Sequence, residues 1–286
     1  MRTILLPTDF SPNSVNAMNF ALDMFKDVVC KFYILNVQKA SSFISDDFRT
    51  MSPSTTIYQT LIQTAKDSIN KLIETFEARG VKEHSFKAMV DYDNFIDAIN
   101  QACETKNVDL IVMGTHGATG AERILFGSNT VRVMQRCNRP VLAIPRNSKF
   151  NGIRKIAFTS NYLTLYNRDE LMPLIQMAEL FNAKIDILHM VEEDYLSRDQ
   201  ENNKAFLDAC FRFVEHEFVD LHDKDLFVTV HDYMVNNDIN MLAMMSRRHS
   251  FLERLFTQHN VETFGFNMEF PLLVMENTGT LYAPTS

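Results

Sequence analysis

The chain has little of what marks several protein classes, and each absence removes one. Four cysteines occur in 286 residues, Cys30, Cys103, Cys137 and Cys210, with no CxxC pair among them. That density cannot build a disulfide framework, and it points to a reducing, cytoplasmic setting. Long apolar runs are missing as well. Leu110–Met113 and Val141–Ile144 fall far short of the roughly 20 residues that a membrane helix needs. The N-terminus turns polar after Ile4-Leu5-Leu6, at Pro7-Thr8-Asp9, and is unlike a signal peptide. Nor is there an excess of basic charge. A formal net charge of -8 and a pI near 5.5 argue against a protein that works by neutralising nucleic-acid phosphates. What remains is ordinary globular composition, 46% hydrophobic and 22% charged. At about 100–200 residues per domain, the length suggests two domains.

The first half alternates short apolar runs with longer helical patterns. Thr3–Leu6 reads as a buried strand ended by Pro7-Thr8-Asp9. Ser11-Pro12 then reads as an N-cap with proline at the first helical position, followed by the apolar stripe Val15, Met18, Leu22 and Phe25. Strands are expected at Lys31–Val37, Phe86–Val90, Val108–Met113 and Pro140–Ile144. Helices are expected up to Gly80, over Phe95–Cys103 and over Gly127–Arg136. This alternation implies a parallel sheet with right-handed crossovers.

The second half repeats the first. Lys155–Tyr162 matches Thr3–Phe10, with Asn161 at the place of Asp9, and Ile187–Met190 matches Ile34–Val37. Leu242–Val274 aligns without gaps on Ile111–Ala143, so that Glu253-Arg254 falls on Glu122-Arg123 and Asn260 on Asn129. The chain therefore reads as a tandem duplication, residues 1–147 and 152–286, with Pro145–Gly152 as linker. Matching Tyr233 to Tyr92 leaves only Met234–Asp238 before Ile239, so the third helix of the second copy is expected to shrink to a turn.

The segment Met113-Gly114-Thr115-His116-Gly117-Ala118-Thr119-Gly120 through Gly127-Ser128-Asn129-Thr130 follows a strand and enters a helix. Glycines let backbone approach a ligand, and amides at a helix N-terminus suit an anion. The pattern is neither a P-loop nor a GxGxxG fingerprint, and taken alone it reads equally as a glycine-rich surface loop. In an open parallel sheet, however, ligands sit beyond the strand C-termini where the winding reverses. If the first strand neighbours the fourth, Asp9 faces this loop.

With Pro7-Thr8-Asp9 and Gly114-x2-Gly117-x9-Gly127-Ser128 in hand, the sequence resembles the universal stress protein family, in both halves. The resemblance implies an α/β fold of two tandem doubly wound parallel five-stranded sheets, order 3-2-1-4-5, adenine nucleotide α-hydrolase-like. It also implies a bound adenine nucleotide (ATP, ADP or AMP), with Mg2+ or Mn2+ bridging its phosphates. By the family's pattern Pro7, Thr8, Asp9, Val37, Met113 and Gly114 surround the adenosine. Gly117, Gly127, Ser128, Asn129 and Thr130 then hold ribose and phosphates. No nucleophile–base pair is legible, so the reading is a regulatory module without catalytic or metal-ligating residues of its own. Slow hydrolysis, adenylyl or phosphoryl transfer, and a nucleotide-free scaffold stand as alternatives.

The second copy departs from this pattern. Met245, Arg248 and Gln258 stand at the positions of Gly114, Gly117 and Gly127, and His259 at that of Ser128. This half is expected not to bind nucleotide, and to serve instead as an intramolecular partner, with Pro140–Ile144 and Pro271–Met275 as the pairing edges. A homodimer of whole chains remains open. His116 and Arg123 are candidates for solvated or structural roles, as Arg254 keeps the type of Arg123 where the site is lost. Met241, Met244 and Met245 read as core, the cysteines as buried, and His189 and His231 as lone residues on separate strands.

Overall fold

The structure is a computed structural model that describes residues 2–38, 54–80, 84–92, 94–115, 126–191, 195–222, 226–246 and 269–277. In the first half these form β1 (Arg2–Pro7), α1 (Pro12–Met24), β2 (Cys30–Val37), α2 (Ser54–Glu77), β3 (Ser85–Asp91), α3 (Phe95–Lys106), β4 (Leu110–Gly114), α4 (Ser128–Arg136) and β5 (Val141–Ile144). The second half contributes β6 (Lys155–Thr159), α5 (Arg168–Phe181), β7 (Lys184–Met190), α6 (Arg198–Phe211), β8 (His216–Leu221), α7 (Leu226–Asn236), β9 (Met241–Ser246) and β10 (Leu272–Glu276).

Local chemistry sets the helix ends. Ser11 caps α1, accepting from Ser14 N at 3.2 Å, and Pro12 opens the helix with the φ it already prefers. Asn94 caps α3, and Asn107 ends it in the left-handed region. Capping boxes start α5 (Asn167 with Glu170) and α6 (Ser197 with Gln200).

The strands form one ten-stranded sheet, order β3-β2-β1-β4-β5-β10-β9-β6-β7-β8. Each half has the expected order 3-2-1-4-5, and within each half every pair is parallel. The halves meet where β5 and β10 pair antiparallel, Ala143 against Leu272 and Val141 against Val274. Their cores are continuous across this join. One face of the sheet gathers Ile4, Leu6, Leu142, Phe158 and Leu273, and the other Leu5, Val141, Ala157 and Leu272. Alternation along each strand sends neighbours to opposite faces, and both are covered by helices, which is why the strands read as continuous apolar runs.

The segment between the halves is pinned to both. Asn16 donates to the carbonyls of Pro145 and Ser148, and the Phe150 ring contacts Phe20 of α1 and Phe181 of α5, each at 5.5 Å between centroids. The repeat recurs in the hydrogen bonding. Ile111 N donates to Pro140 O, and Leu242 N to Pro271 O, both at 2.9 Å.

One expectation fails. The third helix of the second half is present as α7, and its third strand is β8, so Tyr233 and His231 lie on a helix. The segment Leu226-Phe227-Val228-Thr229-Val230 carries β-branched residues that read as a strand. Tertiary packing overrides that local preference, with Phe227, Val230 and Met234 buried on one side of α7.

Candidate functional site

Winding reverses between β1 and β4, which are adjacent although β2 and β3 lie beyond β1 on the other side. Their C-terminal ends are therefore where a ligand crevice belongs in this architecture. After Pro7 the chain is tied down from within. Thr8 N donates to Leu35 O at 2.8 Å, and the buried Asn36 donates through Nδ2 to Thr8 O at 2.8 Å. The Thr8 hydroxyl accepts from Phe10 N at 2.9 Å and shares a hydrogen bond with Ser14 Oγ at 3.0 Å. Asp9 Oδ1 accepts from Ser11 N at 3.0 Å, and the residue is exposed. This Asx turn fixes the carboxylate at the rim of the crevice.

At the end of β4, backbone packs on backbone. A Cβ on Gly114 would lie 3.0 Å from Asn13 O, so glycine here lets the first turn of α1 sit directly against the strand. Thr130 Oγ1 donates to Gly114 O at 3.0 Å inside the protein, holding α4 on β4. Gly127 N donates to Thr115 O at 2.7 Å and brings the start of α4 to the same end of the sheet. Gly127 is the N-cap residue, with extended backbone and no side-chain cap. The first-turn amides of α4 have no intrahelical acceptor by construction, and the positive end of its dipole lies beside Ser128 and Asn129, both exposed. That arrangement suits an anion.

The structure thus brings Pro7, Thr8, Asp9, Met113, Gly114, Gly127, Ser128, Asn129 and Thr130 to one end of two neighbouring strands, with Val37 half-buried at the end of β2. Thr8 and Thr130 are buried at 6% and 3% exposure, and their hydroxyls serve internal bonds. Gly117, His116, Arg123, Arg248, Arg254, Gln258 and His259 lie outside the described residues. Sequence reasoning missed Asn13, Ser14 and Asn36, buried polar residues at this end of the sheet. The one available signal was Asn36 itself, a polar residue within the apolar run Phe32–Val37.

The second half repeats the turn with other side chains. Ser160 N donates to Leu188 O, Tyr162 N to Ser160 Oγ, and Leu163 N to Asn161 Oδ1, reproducing the turn at Thr8–Ser11 bond for bond. Phe10 and Tyr162 both have positive φ, 61° and 55°. Tyr162, however, has no exposure and stacks on His189 at 4.4 Å between centroids, with Phe218 edge-on and Lys204 over the ring. Asn203 of α6 donates to Tyr162 O at 2.7 Å. Burial pushes the Tyr162 hydroxyl well above the usual phenol range, with Asp220 adding to the shift. Met245, in the place of Gly114, is buried.

The cysteines are all buried. Burial raises Cys30 to about 11 and Cys103 and Cys137 to about 12, with Arg139 partly opposing it at Cys103, so these thiols are inert. Among the described residues no group of three or more His, Cys, Asp or Glu side chains could hold a metal, and no helix is long and apolar enough to cross a membrane.

Comparison with known proteins agrees with this architecture. The model of the universal stress protein family matches residues 1–145. Universal stress protein MJ0531 of Methanocaldococcus jannaschii is 32% identical over 148 residues, covering 52% of this chain and 84% of the relative. A second protein of that organism, MJ0577, is 28% identical over 159 residues, covering 51% and 96%. Across its length the chain resembles the crystal structure of a universal stress protein from Archaeoglobus fulgidus, with TM-score 0.66, 17% identity and 96% of each chain covered. A protein of unknown function from Pseudomonas aeruginosa gives TM-score 0.58 at 10% identity, covering 96% and 92%. With the family model matching half of the chain, the protein belongs to the universal stress protein family.

Proposed function

We propose that the protein is an adenine-nucleotide-binding regulatory module with one competent site, at the β1/β4 crevice of a first domain of residues 1–147. Residues 152–286 form a degenerate second domain that takes the place of a partner subunit. The observation that carries this reading is the pair of glycines at the end of β4 and the start of α4. Gly114 allows close backbone packing, and Gly127 leaves a helix N-terminus without a side-chain cap at the sheet's switch point. Asp9 stands across the crevice, exposed, where a carboxylate can accept from ribose hydroxyls or the adenine amino group. A Mg2+ or Mn2+ ion would be held mainly by phosphate oxygens, since such ions commonly take one or two carboxylates plus substrate phosphates. In the second half Met245 supplies a side chain where Gly114 has none, and Asn161 stands without charge at the place of Asp9.

The test is calorimetric titration of the nucleotide-free chain with ATP, ADP and AMP, beside mass spectrometry of nucleotide released on denaturation. One nucleotide per chain is expected, and two equivalent sites would refute the assignment. Gly127→Asp is the informative variant. Aspartate is a good N-cap, so α4 should be retained or gain a few tenths of a kcal/mol, while its charge repels phosphate. Nucleotide affinity should fall by at least about tenfold. Unchanged affinity would remove the α4 N-terminus from the site. Incubation with ATP and Mg2+ should leave the nucleotide largely intact, whereas rapid release of AMP and pyrophosphate would make the protein a transferase.

A further inference from the structure

Antiparallel pairing of β5 with β10 sets the N-terminal end of one half's sheet beside the C-terminal end of the other's, and a cavity of about 810 Å³ lies at that seam. Its walls come from different halves and carry opposite charge. The first-half wall presents the guanidiniums of Arg2 and Arg139, and the second-half wall presents Asp169 and Glu170 of α5 together with Glu276 of β10. Asp109, on the first-half side, is already committed, its Oδ2 accepting from Thr3 N at 2.7 Å. Between the walls Pro140, Met172 and Pro173 stand beside the polar Asn138, Asn167 and Gln176.

Three of these charges are not joined in ion pairs. Arg2 leans on the Phe25 ring, and among the described residues Arg2, Arg139 and Glu276 form no ion pair within 4.0 Å. Glu170 is held in place, its Oε2 accepting from Asn277 Nδ2 at 2.8 Å and from Asn167 N at 3.3 Å. Burial, followed by the neighbouring Glu170, holds the Glu276 carboxyl above its ordinary range, with Arg139 opposing. A cation delivered beside these two carboxylates would remove that conflict. An anion alone would meet the guanidiniums but face three carboxylates. A simple cation would meet the carboxylates and leave both guanidiniums uncompensated. A dipolar molecule satisfies both walls.

We propose that the seam cavity is a binding site for a zwitterion of the amino-acid or short-peptide type with apolar side chains. Its carboxylate is set toward Arg2 and Arg139, its ammonium toward Glu170 and Glu276, and its side chains on Met172 and Pro140. Arg suits a carboxylate because its donors form a planar fork, and thioethers adapt to varied apolar shapes. The volume is in the range of small-ligand pockets, which run from about 300 to 1,000 Å³. The cavity shares no residue with the β1/β4 crevice, so the proposal does not depend on nucleotide binding there.

The experiment is calorimetric titration of the full-length chain with leucyl-leucine, its N-acetyl derivative and its C-terminal amide. Saturable binding of the free dipeptide is expected, with each blocked form at least about tenfold weaker. Glu276→Gln, near-isosteric and so compatible with folding, should weaken the free dipeptide and leave the N-acetyl form unchanged. Arg139→Gln should give the mirror result, weakening the free dipeptide but not the amide. Far-ultraviolet circular dichroism of both variants should match that of the parent chain, which reports that they are folded. No saturation by about 10 mM, equal binding of the three probes, or indifference to both substitutions would each overturn the assignment.

Discussion

The turns at Thr8–Ser11 and Ser160–Leu163 use the same backbone hydrogen bonds and the same left-handed third residue, yet one borders an exposed carboxylate and the other a sealed core. Three substitutions account for the difference. Asn161 keeps the Asx bond of Asp9 but not its charge. His189 stands where Asn36 donates to Thr8 O, and it offers a flat ring on which Tyr162 stacks. Met245 adds a side chain where Gly114 has none. The second half therefore retained the backbone bonds of the turn and changed the side chains around it. Fold and side-chain surroundings are separable because ladder and turn bonds depend on backbone, while the surroundings depend on the side chains it carries.

The largest expected effects come from exchanging the residues that distinguish the halves. Met245→Gly removes a buried side chain from the core and adds backbone freedom in a strand. It should cost about 3–5 kcal/mol in denaturant unfolding. It should not create a nucleotide site, because Asn161 still lacks the charge of Asp9 and His189 still replaces Asn36. ATP titrating two sites in this variant would break the comparison. The reciprocal change, Gly114→Met, forces a side chain against Asn13 O, and overpacking of that kind typically costs about 1–3 kcal/mol. Nucleotide binding should fall below detection in titration. Retained affinity would mean that the approach of α1 to β4 does not shape the site.

Much of this was legible in the sequence, and the exceptions have physical causes. The strands of the first half and the Ser11-Pro12 helix start follow from periodicity and capping, and the structure reproduces them; of the repeat Leu242–Val274, the described residues hold its two ends, in β9 and β10. The segment around α7 misled because Phe227, Val228, Thr229 and Val230 favour strands, while their burial on a helix face depends on partners distant in sequence. At the site, Pro7-Thr8-Asp9 and the glycines were readable as a motif. Asn13 and Ser14 were not, because residues in a helix's first turn look like ordinary capping until Gly114 is found packed on Asn13 and Thr8 bonded to Ser14. The seam cavity was invisible for the same reason. Arg2, Arg139, Glu170 and Glu276 are unremarkable singly, and only the β5–β10 pairing brings them together.

Tyr162→Phe sharpens the comparison at smaller scale. The Tyr162 hydroxyl is buried with no hydrogen-bond partner among the described residues, whereas Ser160 Oγ is bonded to Tyr166 OH at 2.6 Å. Removing an unsatisfied hydroxyl while keeping the stacked ring should be neutral or stabilising, by up to about 1 kcal/mol. Removing the satisfied one, in Ser160→Ala, should cost about 1 kcal/mol. Thermal unfolding of the two variants side by side reads the contrast. A destabilised Tyr162→Phe would mean that the hydroxyl has a role in the sealed turn, and that the second half is less inert than its packing implies.

The smallest effect is a pH dependence at the seam. Glu276 has a raised carboxyl in the folded state, caused first by burial and then by Glu170, while in the unfolded chain it titrates near its ordinary value of 4.5. Between those two values the folded protein binds more protons than the unfolded one, so this group's contribution to stability falls as pH rises through that window. Below the window Glu276 is protonated in both states and contributes no difference. Glu276→Gln should therefore match the parent chain in acid and exceed it slightly at neutral pH, as read by denaturant midpoints across the range. The opposite sign, a variant weaker at neutral pH, would show Glu276 stabilised as a carboxylate by a direct partner. Saturating the parent chain with leucyl-leucine should shrink the neutral-pH gap, because an ammonium beside Glu276 favours its ionised form. The same dipeptide should leave the variant's own midpoint less changed, which ties the titration to the charge on that one wall of the seam.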